Sequence, residues 1–174
     1  MTTPQATLDV ERRPLIAEPI TAEAFLPFGR LIEPTEDMVP AGAIDAALDL
    51  SGGAPRFYIM RLDYRGYDVN GITRHGDVTQ VLASVGGKSW LLCVAPPVGD
   101  GDKPDPEAIR AFVIPGDVAV LLYRGSWHAG PYFHDAEMKF FNLELIDTNV
   151  VDHFTVNLGR TFGYNFKVID PAKS

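Results

Sequence analysis

The chain has 174 residues, of which 46% are hydrophobic and 22% are charged, and its formal net charge is −8. These values predict a globular protein with a substantial core, and the acidic balance without a basic patch argues against a nucleic-acid partner. No apolar run approaches the roughly 20 residues that span a bilayer, and no basic segment with an apolar core resembles a secretory signal. We therefore expect a cytoplasmic protein without a membrane partner.

The domain organisation expected from the sequence is simple. Residues 1–18 are largely polar and predict a flexible N-terminal extension, although residues 12–20 could instead pair as an early strand. Residues 19–174 contain neither a repeat nor a linker and predict one domain.

Short strands dominate the expected secondary structure. Thr21 is placed to cap a short helix, and Asp105 with Pro106 predicts another over residues 105–112. The chain's only cysteine, Cys93, lies in an apolar run and is expected as a buried thiol, since one cysteine cannot form an intramolecular disulfide. Dense turn residues between short strands predict an antiparallel β-sandwich or barrel. The strand-like segments are residues 29–33, 55–66, 87–97, 117–125, 138–149, 151–159 and 164–170.

Polar side chains collect in three segments that are otherwise strand-like or follow a strand. These are residues 73–80, 123–132 and 141–147. The polar or aromatic residues of interest in them are Arg74, His75, Gln80, Arg124, Trp127, His128, Asn142 and Glu144. Two further histidines, His134 and His153, are expected at the surface or at a strand edge.

The strand around Glu144 allows two interpretations. Asn142 and Glu144 share one face of the strand, and Leu143 and Leu145 share the other. If the leucines pack against an outer layer, the carboxylate points into a barrel, where it must be paired, coordinated or used in chemistry. If the opposite face is the inner one, Glu144 is solvated.

Two histidines, each with an arginine nearby, suggest an anion pocket. Arg74 precedes His75, and Arg124 lies four residues before His128. Each histidine alone could be structural, but arginine binds carboxylates with two parallel hydrogen bonds. The combination predicts a small carboxylic acid as substrate.

Several segments together resemble the ureidoglycolate lyase family, which has a cupin β-barrel. The similarity follows chain order from about residue 19 to residue 155 and includes "RHGDVTQ", "WLLCVAPP", "LLYRGSWH" and "NLELIDTN". The resemblance implies an all-β, cupin-type antiparallel β-barrel or jelly roll with a few short helices.

The resemblance also implies a ligand set. His75, Gln80 and His128 take positions where cupins place metal ligands, so a divalent metal such as Ni, Mn or Zn is implied. Thr73 stands where ureidoglycolate lyases usually have a glutamate, and "DTN" stands where an aspartate followed by arginine is common. Two histidines and an amide are a weak set for a divalent ion, because neutral donors offset less of its desolvation than carboxylates do.

The activity implied by the resemblance is the elimination of urea from ureidoglycolate to give glyoxylate, in purine and allantoin nitrogen catabolism. The expected catalytic residues are His75, His128 and Glu144, and the expected substrate-binding residues are Arg74, Gln80, Arg124, Trp127 and Asn142. A diverged cupin lyase or hydrolase acting on another small hydroxy- or amino-carboxylate remains an alternative, as does a non-catalytic cupin that binds a small acid. By analogy with cupins of this size, a homodimer is expected.

Overall fold

The computed structural model describes residues 9–98 and 101–173, and strands make up most of its regular structure. The strands are β1 (Glu11–Pro19), β2 (Gly29–Ile32), β3 (Pro55–Asp63), β4 (Asp68–Val69), β5 (Gly71–Arg74), β6 (Gln80–Ser84), β7 (Trp90–Ala95), β8 (Arg110–Ile114), β9 (Ala119–Leu122), β10 (Trp127–Tyr132), β11 (Glu137–Leu145), β12 (Phe154–Asn157) and β13 (Tyr164–Ile169). The helices are α1 (Ala22–Phe25), α2 (Thr148–Val151) and α3 (Leu158–Phe162). The predicted fold class is confirmed as an all-β, mainly antiparallel architecture with a few short helices.

The strands form two sheets. One has eight strands in the order β12-β5-β10-β7-β8-β1-β13-β4, and the other has five in the order β2-β9-β6-β11-β3. Neighbouring strands are antiparallel except at β1, which runs parallel to both β8 and β13. The prediction of a flexible extension is therefore wrong for residues 11–18, which belong to a sheet strand: Glu11–Ile16 pair with β13 and Ala17–Pro19 pair with β8. Residues 1–8 lie outside the described residues.

The burial of both faces of strand β7 explains why its sequence is a continuous apolar run. Leu92 and Val94 belong to the core between the two sheets, together with Leu82 and Phe140 of the five-stranded sheet. Cys93 and its same-face neighbours belong to a second core on the other side of β7. Because both faces of β7 are buried, polar residues have no face to occupy. Burial also raises the pKa of the Cys93 thiol, as expected for a structural cysteine.

The helix predicted over residues 105–112 is wrong beyond its first turn. Asp105 does cap a turn, accepting a hydrogen bond from the Glu107 amide, but only a 3-10 turn at Pro106–Ala108 follows. Ile109 is already extended, and β8 then pairs with β7 on one side and β1 on the other. The buried sheet position overrides the local helical preference. In the described part of the chain, no helix is long and apolar enough to cross a membrane.

Candidate active site

His75 and His128 meet at one end of the space between the sheets. His75 directly follows β5, and His128 lies in the adjacent antiparallel strand β10, opposite Thr73. The two imidazole centroids are 5.0 Å apart. A narrow cleft adjoins them, and in this structure it is too tight to admit a water molecule. Its lining residues are His75, Val78, Gln80, Leu122, Tyr123, Ser126 and His128.

The buried His75 ring is fixed by a main-chain carbonyl. Its Nδ1 lies 2.6 Å from the Asp152 carbonyl oxygen. A carbonyl can only accept, so Nδ1 carries the proton and the neutral ring keeps a lone pair on Nε2. Among the described residues, no hydrogen bond involves Nε2. Burial lowers the pKa of His75, an effect that the bond to Asp152 partly opposes.

The Nδ1 of His128 is buried and forms no well-aligned hydrogen bond, although an interaction with the Ser126 main chain opposes the lowering of the pKa of this ring. Burial, and then the nearby His75, lower the pKa of His128 to about 3. At neutral pH this residue is therefore an uncharged imidazole. It suits hydrogen bonding or ligation better than charge stabilisation.

A third histidine joins this pair. The His153 ring centroid lies 5.5 Å from that of His75, although His153 is exposed, as expected from the sequence. The approach follows from strand pairing, since β12 lies beside β5 with Thr155 opposite Thr73. The sequence carried no signal for this pairing, because the two strands are roughly 80 residues apart.

The face of β11 that carries Glu144 points inward. Phe140, on the same face, belongs to the core between the sheets. Glu144 is buried and accepts hydrogen bonds from Tyr58 Oη at 3.1 Å, Asn149 Nδ2 at 3.0 Å and Gln80 Nε2 at 3.1 Å. Three side-chain donors therefore surround this carboxylate. Of the two interpretations left open by the sequence, the buried one therefore holds.

Asn142 and Gln80 extend this network towards the cleft. Asn142 accepts from Gln80 Nε2 at 3.1 Å and donates to Tyr58 Oη at 3.0 Å. Both partners of Gln80 Nε2 are acceptors, which fixes the orientation of the amide. Gln80 Oε1 is left buried without a hydrogen-bond partner, on a residue that lines the cleft. An unpaired buried acceptor is costly, so this oxygen is suited to accept a hydrogen bond from a ligand.

Two of the predicted substrate-binding residues lie on the wrong face. Trp127 is opposite Arg74 in the pairing of β10 with β5, and the Arg74 guanidinium carbon is 5.0 Å from a Trp127 ring centroid. Trp127 is fully buried in the core on the side of the sheet away from His128. Adjacent residues of a strand point to opposite faces, so neither side chain reaches the cleft.

Arg124 lies close to the histidines but is engaged by other residues. Its Nε donates to the Gly76 carbonyl at 2.9 Å, and its Nη1 donates to the Asp49 carboxylate at 2.9 Å. Hydrogen bonds from Ser51, and then Arg124, lower the pKa of Asp49 to about 2. In this structure Arg124 therefore ties the loop before β3 to the loop after β5.

Sequence reasoning missed the residues that flank Glu144. Tyr58 lies on the inner face of β3, and burial followed by the Glu144 charge raises its pKa. Arg56 is paired with Glu144 across β3 and β11, and its guanidinium carbon lies 3.6 Å from the Tyr58 ring centroid. Within residues 9–98 and 101–173, Arg56 forms no ion pair. The alternation of "PRFYIM" could have placed Arg56 and Tyr58 on one face, but not on the inner one.

The donors near the cleft are a poor match for a tightly held metal ion. His75, His128 and Gln80 would supply neutral donors only, and Glu144 already accepts three hydrogen bonds. The described residues contain no group of three or more His, Cys, Asp or Glu side chains able to hold a metal. The Thr73 hydroxyl is bonded to Thr155 Oγ1 at 2.7 Å.

The sequence matches a family described as ureidoglycolate lyase over residues 12–159. A protein named ureidoglycolate lyase from Pseudomonas syringae pv. syringae (strain B728a) is 33% identical over 128 residues, covering 67% of this chain and 74% of that protein. Another with that name, from Azotobacter vinelandii (strain DJ / ATCC BAA-1303), is 32% identical over 129 residues, covering 67% and 75%.

Among solved structures, Bacillus subtilis oxalate decarboxylase at pH 4.6 aligns with a TM-score of 0.40 and 11% identity. That alignment covers 82% of this chain but only 30% of the decarboxylase chain. A second structure of the same enzyme, whose description names Mn(II) centres, aligns with a TM-score of 0.39 and 12% identity, covering 62% of this chain and 25% of that one.

Proposed function

The chain belongs to the ureidoglycolate lyase family, and from that premise we propose that it eliminates urea from ureidoglycolate and releases glyoxylate, a step of allantoin and purine nitrogen catabolism. The observation that carries the proposal is the cleft between His75, His128 and Gln80. The cleft is lined by residues that carry two buried atoms without a well-aligned hydrogen-bond partner among the described residues, His128 Nδ1 and Gln80 Oε1.

The reaction moves one proton from oxygen to nitrogen. A base removes the proton of the carbinol hydroxyl, the C–O bond becomes a carbonyl, and the C–N bond breaks. The departing urea nitrogen takes a proton, so no oxidant or reductant is needed. His75 suits the first step because its Nδ1 proton is held by Asp152 and its Nε2 is available. The imidazolium formed in that step can return the proton to the urea nitrogen.

The other groups of the cleft bind and orient the substrate. Gln80 Oε1, a buried acceptor without a partner, would accept a hydrogen bond from an N–H group of the urea moiety. His128 would hydrogen-bond the developing carbonyl or the carboxylate as a neutral imidazole. Glu144 holds Gln80 in place through a hydrogen bond. Its negative charge also raises the pKa of His75 and so stabilises the imidazolium form of that ring. The catalytic trio expected from the sequence is retained, with Glu144 as a supporting charge.

The substrate carboxylate needs a cation. The Arg74 side chain stacks on Trp127, on the face of the sheet away from the cleft. Arg124 is hydrogen-bonded to Asp49 and Gly76. Arg56 instead is exposed beside Tyr58 on β3, the strand beyond Glu144 from Gln80, without an ion pair among the described residues. We assign the carboxylate to Arg56, whose planar fork can form two parallel hydrogen bonds with it.

The activity is tested by incubating the purified protein with ureidoglycolate and measuring glyoxylate and urea separately. Equal amounts of the two products, at a rate above the uncatalysed decay, are expected. Glyoxylate accompanied by ammonia in place of urea would reject the lyase reaction in favour of a hydrolase. No release of glyoxylate, with or without added Ni²⁺ or Mn²⁺, would reject this substrate.

A second candidate substrate is another small hydroxy- or amino-carboxylate. It is favoured by Thr73, which stands at a position where the family usually has a glutamate and whose hydroxyl is occupied by Thr155. A panel of such acids, compared by kcat/KM, separates the two candidates. A higher value for any acid of the panel than for ureidoglycolate would favour the second.

A divalent ion such as Ni, Mn or Zn, if bound, would be held by His75, His128 and Gln80. Because these donors are neutral, we expect weak binding and a metal content well below one ion per chain after dialysis. Elemental analysis of the wild type beside His75→Ala and His128→Ala measures this. One tightly held ion per wild-type chain, lost in both variants, would contradict this expectation.

We propose that the protein is a homodimer. An apolar patch on the outer face of the five-stranded sheet supports this: Phe57 is 68% exposed, Ile59 53% and Phe141 37%. Phe57 and Phe141 stack with their ring centroids 5.8 Å apart, and β3 is an edge strand. Multi-angle light scattering of the wild type and Ile59→Lys tests this, since a buried lysine would dissociate the pair. A monomeric wild type at micromolar concentration would exclude a stable dimer.

The proposed location is the cytoplasm, where a small-molecule enzyme with one buried, unpaired cysteine has no need of an oxidising compartment. Cell fractionation with an antibody against the protein tests this. Recovery in a membrane or extracellular fraction would contradict it.

A further inference from the structure

We infer that Asp152 is a positioning residue for His75: its main-chain carbonyl sets the tautomer of the ring, and its carboxylate holds the loop that carries the ring. This inference rests on the proposed role of His75 as the base. Asp152 belongs to neither of the polar segments that contain the cleft histidines, and its contribution follows only from the folded structure.

The first observation is the contact with the ring. The Asp152 carbonyl oxygen lies 2.6 Å from His75 Nδ1, and only a protonated Nδ1 can donate to it. The proton is thereby placed on the nitrogen that does not act as the base. A ring with its proton on Nε2 would leave this carbonyl unpaired and could not accept the substrate proton.

The second observation is the contact of the side chain with the loop. The two carboxylate oxygens of Asp152 accept separately from the Gly76 amide at 2.7 Å and from the Asp77 amide at 2.8 Å. These amides follow the end of β5, where no strand pairs with them. On the other side, the His75 carbonyl accepts from the Gly125 amide at 2.7 Å. The loop is therefore clamped from two directions, one of which is Asp152.

The third observation is that the same short segment also reaches Glu144. Asn149, in α2, donates to Glu144 at 3.0 Å, and the Asp152 amide closes the helix by donating to Thr148 at 3.0 Å. Residues 148–152 therefore touch both the proposed base and the buried carboxylate. A displacement of Asp152 would change the geometry of the site without removing any group that touches the substrate.

The test compares Asp152→Ala and Asp152→Asn with Asp147→Asn. Asp147 precedes the same helix but makes no side-chain hydrogen bond to cap it, so it is a matched loss of one carboxylate. We expect Asp152→Ala to lower kcat by about 10- to 100-fold with KM within about twofold, because a misplaced base affects the chemical step more than binding. Asp152→Asn should lie between Asp152→Ala and the wild type, and Asp147→Asn should equal the wild type.

The tautomer is read directly by ¹⁵N NMR of the histidine rings above neutral pH, with the His75 signals assigned from their absence in His75→Gln. The wild type should show a protonated Nδ1 and an unprotonated Nε2. Asp152→Ala keeps the main-chain carbonyl but loses the side-chain bonds to Gly76 and Asp77 that hold the ring against it, so this variant should show a weaker preference for the protonated Nδ1. A wild-type ring protonated on Nε2 overturns the inference, as does an Asp152→Ala variant with unchanged tautomer and kcat. If Asp152→Ala does not fold, the wild-type tautomer and Asp152→Asn decide.

The two proposals fail separately. A wild type with the expected tautomer but no turnover of ureidoglycolate rejects the proposed lyase activity and leaves the positioning of the ring intact. An active wild type with the opposite tautomer rejects the role of Asp152 and keeps the lyase.

Discussion

His75 and His134 are both bonded to a residue from a later part of the chain, yet their ring nitrogens are used differently. His134 Nε2 is 2.9 Å from the Asp170 carboxylate, which can only accept, and His134 Nδ1 is hydrogen-bonded to the Tyr67 hydroxyl. Both nitrogens of His134 are therefore occupied. In His75 only Nδ1 is occupied, by Asp152. A histidine with both nitrogens bonded holds the fold, whereas one with a single bonded nitrogen is equipped for chemistry.

The surroundings of His134 support the structural role. Burial, Tyr64 and Asp170 raise the pKa of Tyr67 to about 12, so its hydroxyl stays protonated and keeps donating. The Asp170 side chain is only 9% exposed and follows β13, so the cluster ties the end of the last strand to the turn between β10 and β11. The difference between His75 and His134 can be tested by substituting each histidine.

The largest expected effect is on turnover. His75→Gln should lower kcat by about 1,000-fold, because general acid–base catalysis contributes roughly 100- to 10,000-fold. His134→Gln should leave kcat within about twofold. Steady-state assays of glyoxylate release measure both. Equal losses in the two variants would remove the distinction between the histidines.

A smaller effect is expected on substrate binding. Arg56→Gln should raise KM by about tenfold with little change in kcat, since it removes a carboxylate contact made in both ground and transition states. Arg61→Gln is the matched control, because Arg61 lies on the same strand and faces outward beside Glu137. An unchanged KM in Arg56→Gln would move the carboxylate to Arg124.

The reverse order is expected for stability. His134→Gln should lower the free energy of unfolding by about 1–2 kcal/mol, because Tyr67 and the nearly buried Asp170 each lose a partner. His75→Gln should cost less, since only one bond is lost. Urea denaturation of the two variants gives the comparison. A larger loss in His75→Gln would show that its ring also holds the fold.

The last expected effect is on the pH dependence of stability. The pKa of His128 falls from 6.5 to about 3 on folding, so between these values the unfolded chain binds a proton that the native state does not. Stability should therefore fall as pH drops from about 6.5 towards 3, by at most about 1.4 kcal/mol per pH unit. The lowered pKa of His75 acts in the same direction. His128→Gln should flatten the slope, and an unchanged slope would place the titration elsewhere.

The sequence predicted much of the fold because local patterns report burial. The apolar run of β7 and the alternation of β11 were recognisable, and the cap at Asp105 formed as predicted. The helix after Asp105 failed because the pairing of β8 with β7 and β1 is not encoded locally. The N-terminal strand was only an alternative for the same reason, since both of its partners lie far along the chain.

The candidate site was predicted in part, and the division follows from geometry. His75, Gln80, His128, Asn142 and Glu144 converge as the sequence patterns suggested. Arg74 and Trp127 adjoin the histidines in sequence, but adjacent residues of a strand face opposite ways, so proximity along the chain does not place them in the cleft. Asp152 and Asn149 contribute through contacts whose partners cannot be read from spacing.

The position of β1 has a consequence for synthesis of the chain. Its pairs, Ala17 with Ala111 and Glu11 with Tyr164, join residues roughly 90 and 150 positions apart. At a translation rate of about 5–20 residues per second, the first strand leaves the ribosome on the order of ten seconds before its last partner. Both edges of β1 are open during that interval. Among the described strands, β1 is therefore made first and is among the last to be paired.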